Sequence, residues 1–251
     1  MKSSHNTILI TGGGSGIGRA LAEAFHARGN RVIIAGRRQA VLDEVVRANP
    51  GMSALALDIE TAAGVQDFAA RVRQQFPTLN AVLHNAGIMR PEKLTAGPGY
   101  LADAEATVAT NFLGPIRLTA ALLPHLLRQP DAAILTVTSG LAFIPIAAFP
   151  TYNATKAALH SYTESLRHQL KETKVEVIEI APPYVQTELI GAQQATDPNA
   201  MPLKEYIAET MQLLTTQPTP PEILVERVKP LRFAAKGDYA ALFQSINGMW
   251  H

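Results

Sequence analysis

A chain of 251 residues, 47% hydrophobic and without cysteine, can build one sizeable core, while disulfide scaffolds, thiolate metal sites and cysteine nucleophiles are excluded. Lys plus Arg number 22 against 21 Asp plus Glu, so a net charge of +1 calls for neither nucleic acid nor an anionic membrane as partner. The polar residues 1–6 lead straight into an apolar run with no signal-peptide core, and the cytoplasm is the expected compartment.

Short β-branched runs alternate with longer stretches of helical period. Strands are expected at 7–11, 31–35, 53–58, 81–84, 133–138 and 175–180, with helices at 17–28, 39–48, 62–76, about 103–128 and about 152–172. The strands are nearly all apolar, as in Ile8-Leu9-Ile10 and Val32-Ile33-Ile34, which suits a sheet covered by helices on both faces. Alternation of this kind specifies right-handed βαβ units, hence an α/β fold with a doubly wound parallel sheet. The apolar stretch 112–127 is broken by Pro115, Arg117, Pro124 and His125, falls short of the roughly 20 apolar residues of a membrane span, and reads as a buried helix.

After Ile180 the texture changes at Ala181-Pro182-Pro183-Tyr184. Residues 191–221 mix Gln, Thr, Pro and Asn around a short apolar helix near 206–214, and about 188–218 is read as a lid insertion. A helix at 223–235 and a strand at 239–246 would complete a sheet of about seven strands. There is no repeat and no interdomain linker, so residues 1–251 are read as a single domain.

Between the first strand and the first helix stands Thr11-Gly12-Gly13-Gly14-Ser15-Gly16-Ile17-Gly18. Glycines there let a pyrophosphate approach backbone N–H groups, and the helix N-terminus offers partial positive charge. The spacing, glycines at 12, 16 and 18, differs from Gly-x-Gly-x-x-Gly. The second strand ends Ala35-Gly36-Arg37-Arg38, with no carboxylate for an adenosine ribose; Arg37, with Arg38 beside it, supplies a planar cationic fork suited to a 2′-phosphate. The alternative is that both arginines solvate the next helix. Asp58 either meets the adenine edge or caps the helix beginning near Thr61.

Tyr152 and Lys156 are four residues apart at the start of a helix and share a face. A phenol is a poor base at neutral pH, and an adjacent ammonium favours the phenolate, so Lys156 is expected to tune Tyr152. Ser139 follows the fifth strand, at the carboxyl end of the sheet, where its hydroxyl could orient a substrate oxygen. Asn111 lies in the long helix with Gly114 and Pro115 just beyond, a setting for a distorted turn that holds water and completes a proton relay.

The glycine turn at 11–18, Asn85-Ala86-Gly87 after the fourth strand, Asn111, Ser139, and Tyr152 with Lys156 resemble the short-chain dehydrogenase/reductase family over residues 7–187. Three further runs are similar to its DltE-like branch: Ala-Pro-Pro-Tyr-Val-Gln-Thr-Glu-Leu, Asn-Ala-Gly-Ile-Met-Arg and Leu-Val-Glu-Arg-Val-Lys-Pro-Leu-Arg-Phe. The resemblance implies a Rossmann-type fold, catalysis by Asn111, Ser139, Tyr152 and Lys156, NADP(H) preferred with NAD(H) possible, and a homo-oligomer (dimer or tetramer) formed through the long central helices. It further implies cofactor contacts from Gly12, Gly14, Ser15, Gly16, Ile17, Gly18, Arg37, Arg38, Asp58, Ile59, Asn85, Ala86, Gly87, Tyr152, Lys156, Pro182, Val185 and Thr187. Substrate contacts fall to Ser139, Leu141, Phe143, Tyr152 and Tyr184. Pro182-Pro183 departs from the family's usual Pro-Gly and stiffens the nicotinamide wall; Tyr184 either lines the pocket or packs under the lid.

Leu141, Ala142, Phe143, Ile144 and Ile146, with Met201, Leu203, Tyr206, Ile207 and Met211 of the lid, would form apolar walls for a small carbonyl or alcohol, or else serve as core. No Arg or Lys cluster near the lid suggests an anionic substrate, and no metal-site spacing is present. His84, His125, His160 and His168 read as structural or surface residues. The expected activity is NADP(H)-dependent interconversion of a carbonyl and an alcohol with Tyr152 as acid and base. The competing reading is a regulator or scaffold that binds NADP(H) without chemistry.

Overall fold

The computed structural model describes residues 1–248. Seven strands, β1 (Thr7–Thr11), β2 (Arg31–Gly36), β3 (Ser53–Ala56), β4 (Ala81–His84), β5 (Ala132–Val137), β6 (Val175–Ile180) and β7 (Glu222–Ile223), form one parallel sheet in the order β3-β2-β1-β4-β5-β6-β7. Successive side chains of a strand point to opposite faces. In β1, Ile8 and Ile10 therefore join one core, and Leu9 joins the other. The first core is covered by α1 (Gly16–His26) through Leu21 and Phe25, and by α2 (Gln39–Ala48) through Leu42 and Val45. The second lies under α3 (Ala62–Gln75). Because β1 runs out to β2 on one side and to β4 on the other, a crevice opens at their carboxyl ends, the switch point where such sheets bind ligands.

The long helix expected near 103–128 is three pieces in line: α4 (Leu101–Val108), a π-helical turn (Ala109–Leu113) and α5 (Gly114–Leu126). By length and composition the longer run 98–126 could cross a bilayer, and half of its most apolar window is buried within this domain. Leu118, Leu122 and Leu126 of α5 fill the second core, which also takes Leu166 from α6 (Pro150–Gln169).

The carboxyl-terminal third corrects one expectation. The strand expected at 239–246 is a helix, α9 (Tyr239–Asn247), preceded by the short α8 (Lys229–Arg232); the last strand is instead the two-residue β7, paired with β6 through Glu179↔Glu222 and Ile180↔Ile223. Asp238 caps α9 by accepting from the Ala241 N–H, and Leu242 and Ile246, one turn apart, pack beside Ile144, Ile146, Phe149 and Tyr152. The helix expected near 206–214, α7 (Leu203–Thr215), packs onto the domain through its apolar face: Tyr206, Met211 and Leu214 are buried in the first core. The strap before it, tied back by N–H bonds of Met201 to Tyr184 O and of Gln186 to Met201 O (2.8 Å each), stands over the crevice, and of α7 the first residue, Leu203, borders it.

Candidate active site

The carboxyl ends of the strands surround a cavity of about 1380 Å³, above the roughly 300–1,000 Å³ usual for a drug-sized ligand. One arm is lined by Gly12, Gly14, Ser15, Gly16 and Ile17, and by Arg37, Arg38 and Ile59. Gly16 opens α1 with φ +53°, a conformation that disfavours a side chain, and no side chain caps the helix at Ser15. The first N–H groups of α1 therefore face the cavity without a side-chain partner, a fit for the pyrophosphate of a dinucleotide. Gly18 does not line the cavity: a Cβ there would stand 2.3 Å from Gly12 O and from Asn85 Nδ2, so its role is close packing of helix on strand.

Arg37 and Arg38 reach the cavity where the sequence placed a 2′-phosphate site. Arg37 is also ion-paired to Glu60, with its Nη1 donating to Oε1 at 2.7 Å. Asp58 turns away from the cavity and accepts from the Glu60 N–H (3.0 Å) and, more weakly, from the Thr61 hydroxyl (3.5 Å). The helix cap expected of Asp58 is supplied by Thr61 instead, which accepts from the Gly64 N–H, and Asp58 serves the turn before α3.

Asn85, Ala86 and Gly87 form the floor. Asn85 Nδ2 donates to Thr11 O (3.1 Å), and the Asn85 and Ala86 N–H groups both reach Thr11 Oγ1, which locks the ends of β1 and β4 together. Asn111, buried in the π-helical turn, accepts from the Ile88 N–H and donates to Ile88 O, both at 2.9 Å. The distorted turn read from the sequence is present, and it ties the helix to the loop after β4. A Cβ at Gly87 would lie 3.3 Å from Asn111 Oδ1 and 3.7 Å from Lys156 Nζ, so the two side chains converge under that glycine.

Ser139, Tyr152 and Lys156 line the other arm. Ser139 begins a tight turn and accepts from the Leu141 N–H at 3.1 Å. Burial pushes the Tyr152 phenol up to about 12, and a hydrogen bond with Ser139 pulls it partly back. Burial also brings Lys156 down to about 8; its Nζ donates to Val137 O (2.8 Å) and lies 5.6 Å from the centre of the Tyr152 ring. The sequence expected Lys156 to lower Tyr152; desolvation dominates instead, and the lowering that opposes it comes from Ser139. At neutral pH Tyr152 holds its proton.

Leu141, Ile146, Pro182, Tyr184, Val185, Thr187 and Leu203 complete this arm. Phe143, expected there, points away and meets the His160 ring edge-on at 4.8 Å with Arg232 over its face. Tyr184 settles both readings at once: it borders the cavity and donates to Asp197 Oδ2 (3.0 Å) in the strap. Leu231 and Ile246 from the chain end also reach the wall, as do Arg90 and Arg227. No local pattern signals these, because only the folding of distant segments brings them in. Arg90 is paired with Asp103, and Arg227 donates to Asn199 O. Among the described residues no group of three His, Asp or Glu side chains is placed to hold a metal ion.

Comparison with known proteins agrees with this geometry. The family described as short chain dehydrogenase matches residues 6–198. The chain is 40% identical to the uncharacterized oxidoreductase DltE of Bacillus subtilis (strain 168), covering 98% of each. Among solved structures it is similar to a short chain dehydrogenase/reductase of Burkholderia phymatum in complex with NAD (TM-score 0.82, 20% identity, 96% of each chain). It is also similar to a short chain dehydrogenase of Burkholderia cenocepacia J2315 in complex with NADP (TM-score 0.82, 23% identity, 98% of this chain and 99% of that one).

Proposed function

The chain belongs to the short-chain dehydrogenase/reductase family, and from that premise we propose that it is an NADP(H)-dependent oxidoreductase interconverting a carbonyl and an alcohol. The observation that carries the reading is one cavity with Ser139, Tyr152 and Lys156 at one arm and the uncapped α1 terminus with Arg37 and Arg38 at the other. Solved relatives that hold NAD or NADP support a nicotinamide cofactor.

When bound, the dinucleotide supplies or accepts the hydride. The N-terminus of α1 receives the pyrophosphate, Arg37 and Arg38 the 2′-phosphate, and Lys156 the nicotinamide ribose. Ser139 orients the substrate oxygen. Tyr152, protonated at neutral pH, donates its proton to that oxygen as the carbonyl is reduced. Asn111 holds the loop after β4 and the base of the relay. Leu141, Ile146, Leu203, Leu231 and Ile246 favour a small apolar substrate, since Arg90 and Arg227 already have partners. Exposed Leu101, Val108 and Leu127 support assembly as a homo-oligomer. A cofactor-binding regulator would need neither Tyr152 nor Lys156, and the presence of both favours the enzyme.

The test is turnover of NADPH against a panel of apolar aldehydes and ketones by wild type and Tyr152→Phe. Turnover lost in the variant, by about 100-fold or more, with NADPH binding retained supports the proposal; tight binding without turnover on any carbonyl favours the regulator.

A further inference from the structure

Glu60 is a fixed carboxylate in contact with two residues that line the cavity, Arg37 and Thr110, and its environment differs from that of an ordinary surface partner. Its Oε1 accepts from Arg37 Nη1 at 2.7 Å and from the Thr110 hydroxyl at 3.1 Å. Its carbonyl oxygen accepts from Arg117 Nη1 at 2.9 Å, and its N–H donates to Asp58. Backbone and side chain are thus both anchored, to the turn before α3, the π-helical turn and α5. Arg37 is the freer partner, with a side chain 54% exposed against 29% for Glu60. Arg38 lines the same arm and makes no ion pair among the described residues.

We propose that Glu60 is a specificity-determining residue that competes with the 2′-phosphate of NADP(H) for Arg37 and so narrows the preference for NADP(H) over NAD(H). The inference rests on the assignment of Arg37 to that phosphate. Because Glu60 cannot follow Arg37, the guanidinium must leave or share the carboxylate to meet a phosphate, and the two anions then repel across the same fork. A cofactor with a 2′-hydroxyl demands neither rearrangement nor repulsion. Neutralising Glu60 therefore aids NADPH selectively. Nothing at positions 36–38, where this choice is usually encoded, reveals the opposing charge, since Glu60 comes from the turn after β3.

The experiment is equilibrium binding of NADPH and NADH, read by cofactor fluorescence, to wild type, Glu60→Gln, Arg37→Ala and the double variant. Gln keeps an acceptor for Thr110 and for Arg37, and thermal melting confirms that each variant folds. The expected result is NADPH bound about fivefold tighter by Glu60→Gln with NADH changed less than about twofold, and loss of that gain in the Arg37→Ala background. NADPH binding unchanged or weakened by Glu60→Gln, an equal gain for both cofactors, or a gain that persists without Arg37 overturns the inference. Unaltered NADPH binding by Arg37→Ala alone removes the underlying assignment as well, and is told apart by that single variant.

Discussion

Lys156 Nζ donates to the carbonyl oxygen of Val137 at 2.8 Å, so the ammonium on helix α6 is held against the end of β5, two residues before Ser139. That bond fixes the distance between the elements that carry the proposed proton donor and the proposed oxygen holder. It also buries a cation that pairs with no carboxylate among the described residues, and burial brings Lys156 down to about 8. Between that value and 10.5 the unfolded chain binds more protons than the folded one, so stability from this group is lowest below pH 8 and recovers as pH rises. Lys156→Met should raise stability at pH 7 by up to roughly 3 kcal/mol, with the advantage gone by pH 10.5. Denaturant melts of the two proteins at pH 7, 9 and 10.5 read this directly; a constant difference across the series would contradict it.

The opposite end of the scale is set by His84 on β4. Its Nε2 meets the Thr119 hydroxyl at 2.9 Å, its Nδ1 meets no partner among the described residues, and burial brings it down to about 4. The folded chain keeps this ring neutral while the unfolded chain protonates below 6.5, so stability falls as pH drops from 6.5 to 4. About 3 kcal/mol is at stake. His84→Gln keeps a partner for Thr119 and cannot titrate, and its melting temperature should fall less steeply over that range than the wild type's.

His160 Nδ1 reaches Glu179 Oε2 at 2.8 Å, and Glu179, buried on β6, also accepts from the Thr138 hydroxyl at 2.6 Å. Glu179, through that bond, its charge and Glu164 raises the His160 pKa, against burial and Arg232, which is itself bound to Glu222. The stabilisation is complete below the unfolded value of 6.5 and is lost as pH rises through the raised folded value. His160→Asn should cost about 3 kcal/mol at pH 6, measured by urea unfolding, and the gap to wild type should narrow in alkaline buffer. An equal gap at both pH values would mean that packing alone is responsible.

Gly18→Ala places a methyl group 2.3 Å from Gly12 O and Asn85 Nδ2, inside the joint between α1 and the floor of the cavity. Overpacking of this kind costs about 1–3 kcal/mol and pushes the helix terminus off the pyrophosphate site. Expected together are a lower melting temperature and NADPH binding at least about tenfold weaker, whereas unaltered binding would show that the joint yields without moving the terminus.

Arg37→Asp exchanges the cation at the adenosine arm for a second anion beside Glu60. NADPH affinity should fall by about tenfold or more, while NADH changes little. Titration of both cofactors decides: equal losses, or none, would refute the assignment of Arg37 to the 2′-phosphate.

Local pattern was sufficient for the first two thirds of the chain. The apolar runs that became β1 to β6 and the helical periods between them carry their own evidence, because helices and strands repeat at different intervals and parallel strands are buried on both faces. The glycine turn, Asn111 in a distorted turn, and Tyr152 with Lys156 on one face were legible for the same reason: each depends on residues close in sequence. The segment 239–246 failed that reading, since Leu242, Phe243 and Ile246 fit either period and only packing beside Ile146 and Tyr152 settles the helix. Tertiary structure alone decided that Tyr206 and Met211 are core, that Phe143 faces His160, that Leu231 and Ile246 wall the cavity, and that Glu60 holds Arg37. It likewise decided that the Tyr152 pKa rises, because desolvation depends on what closes over a side chain, and those atoms arrive from parts of the chain that no local spacing connects.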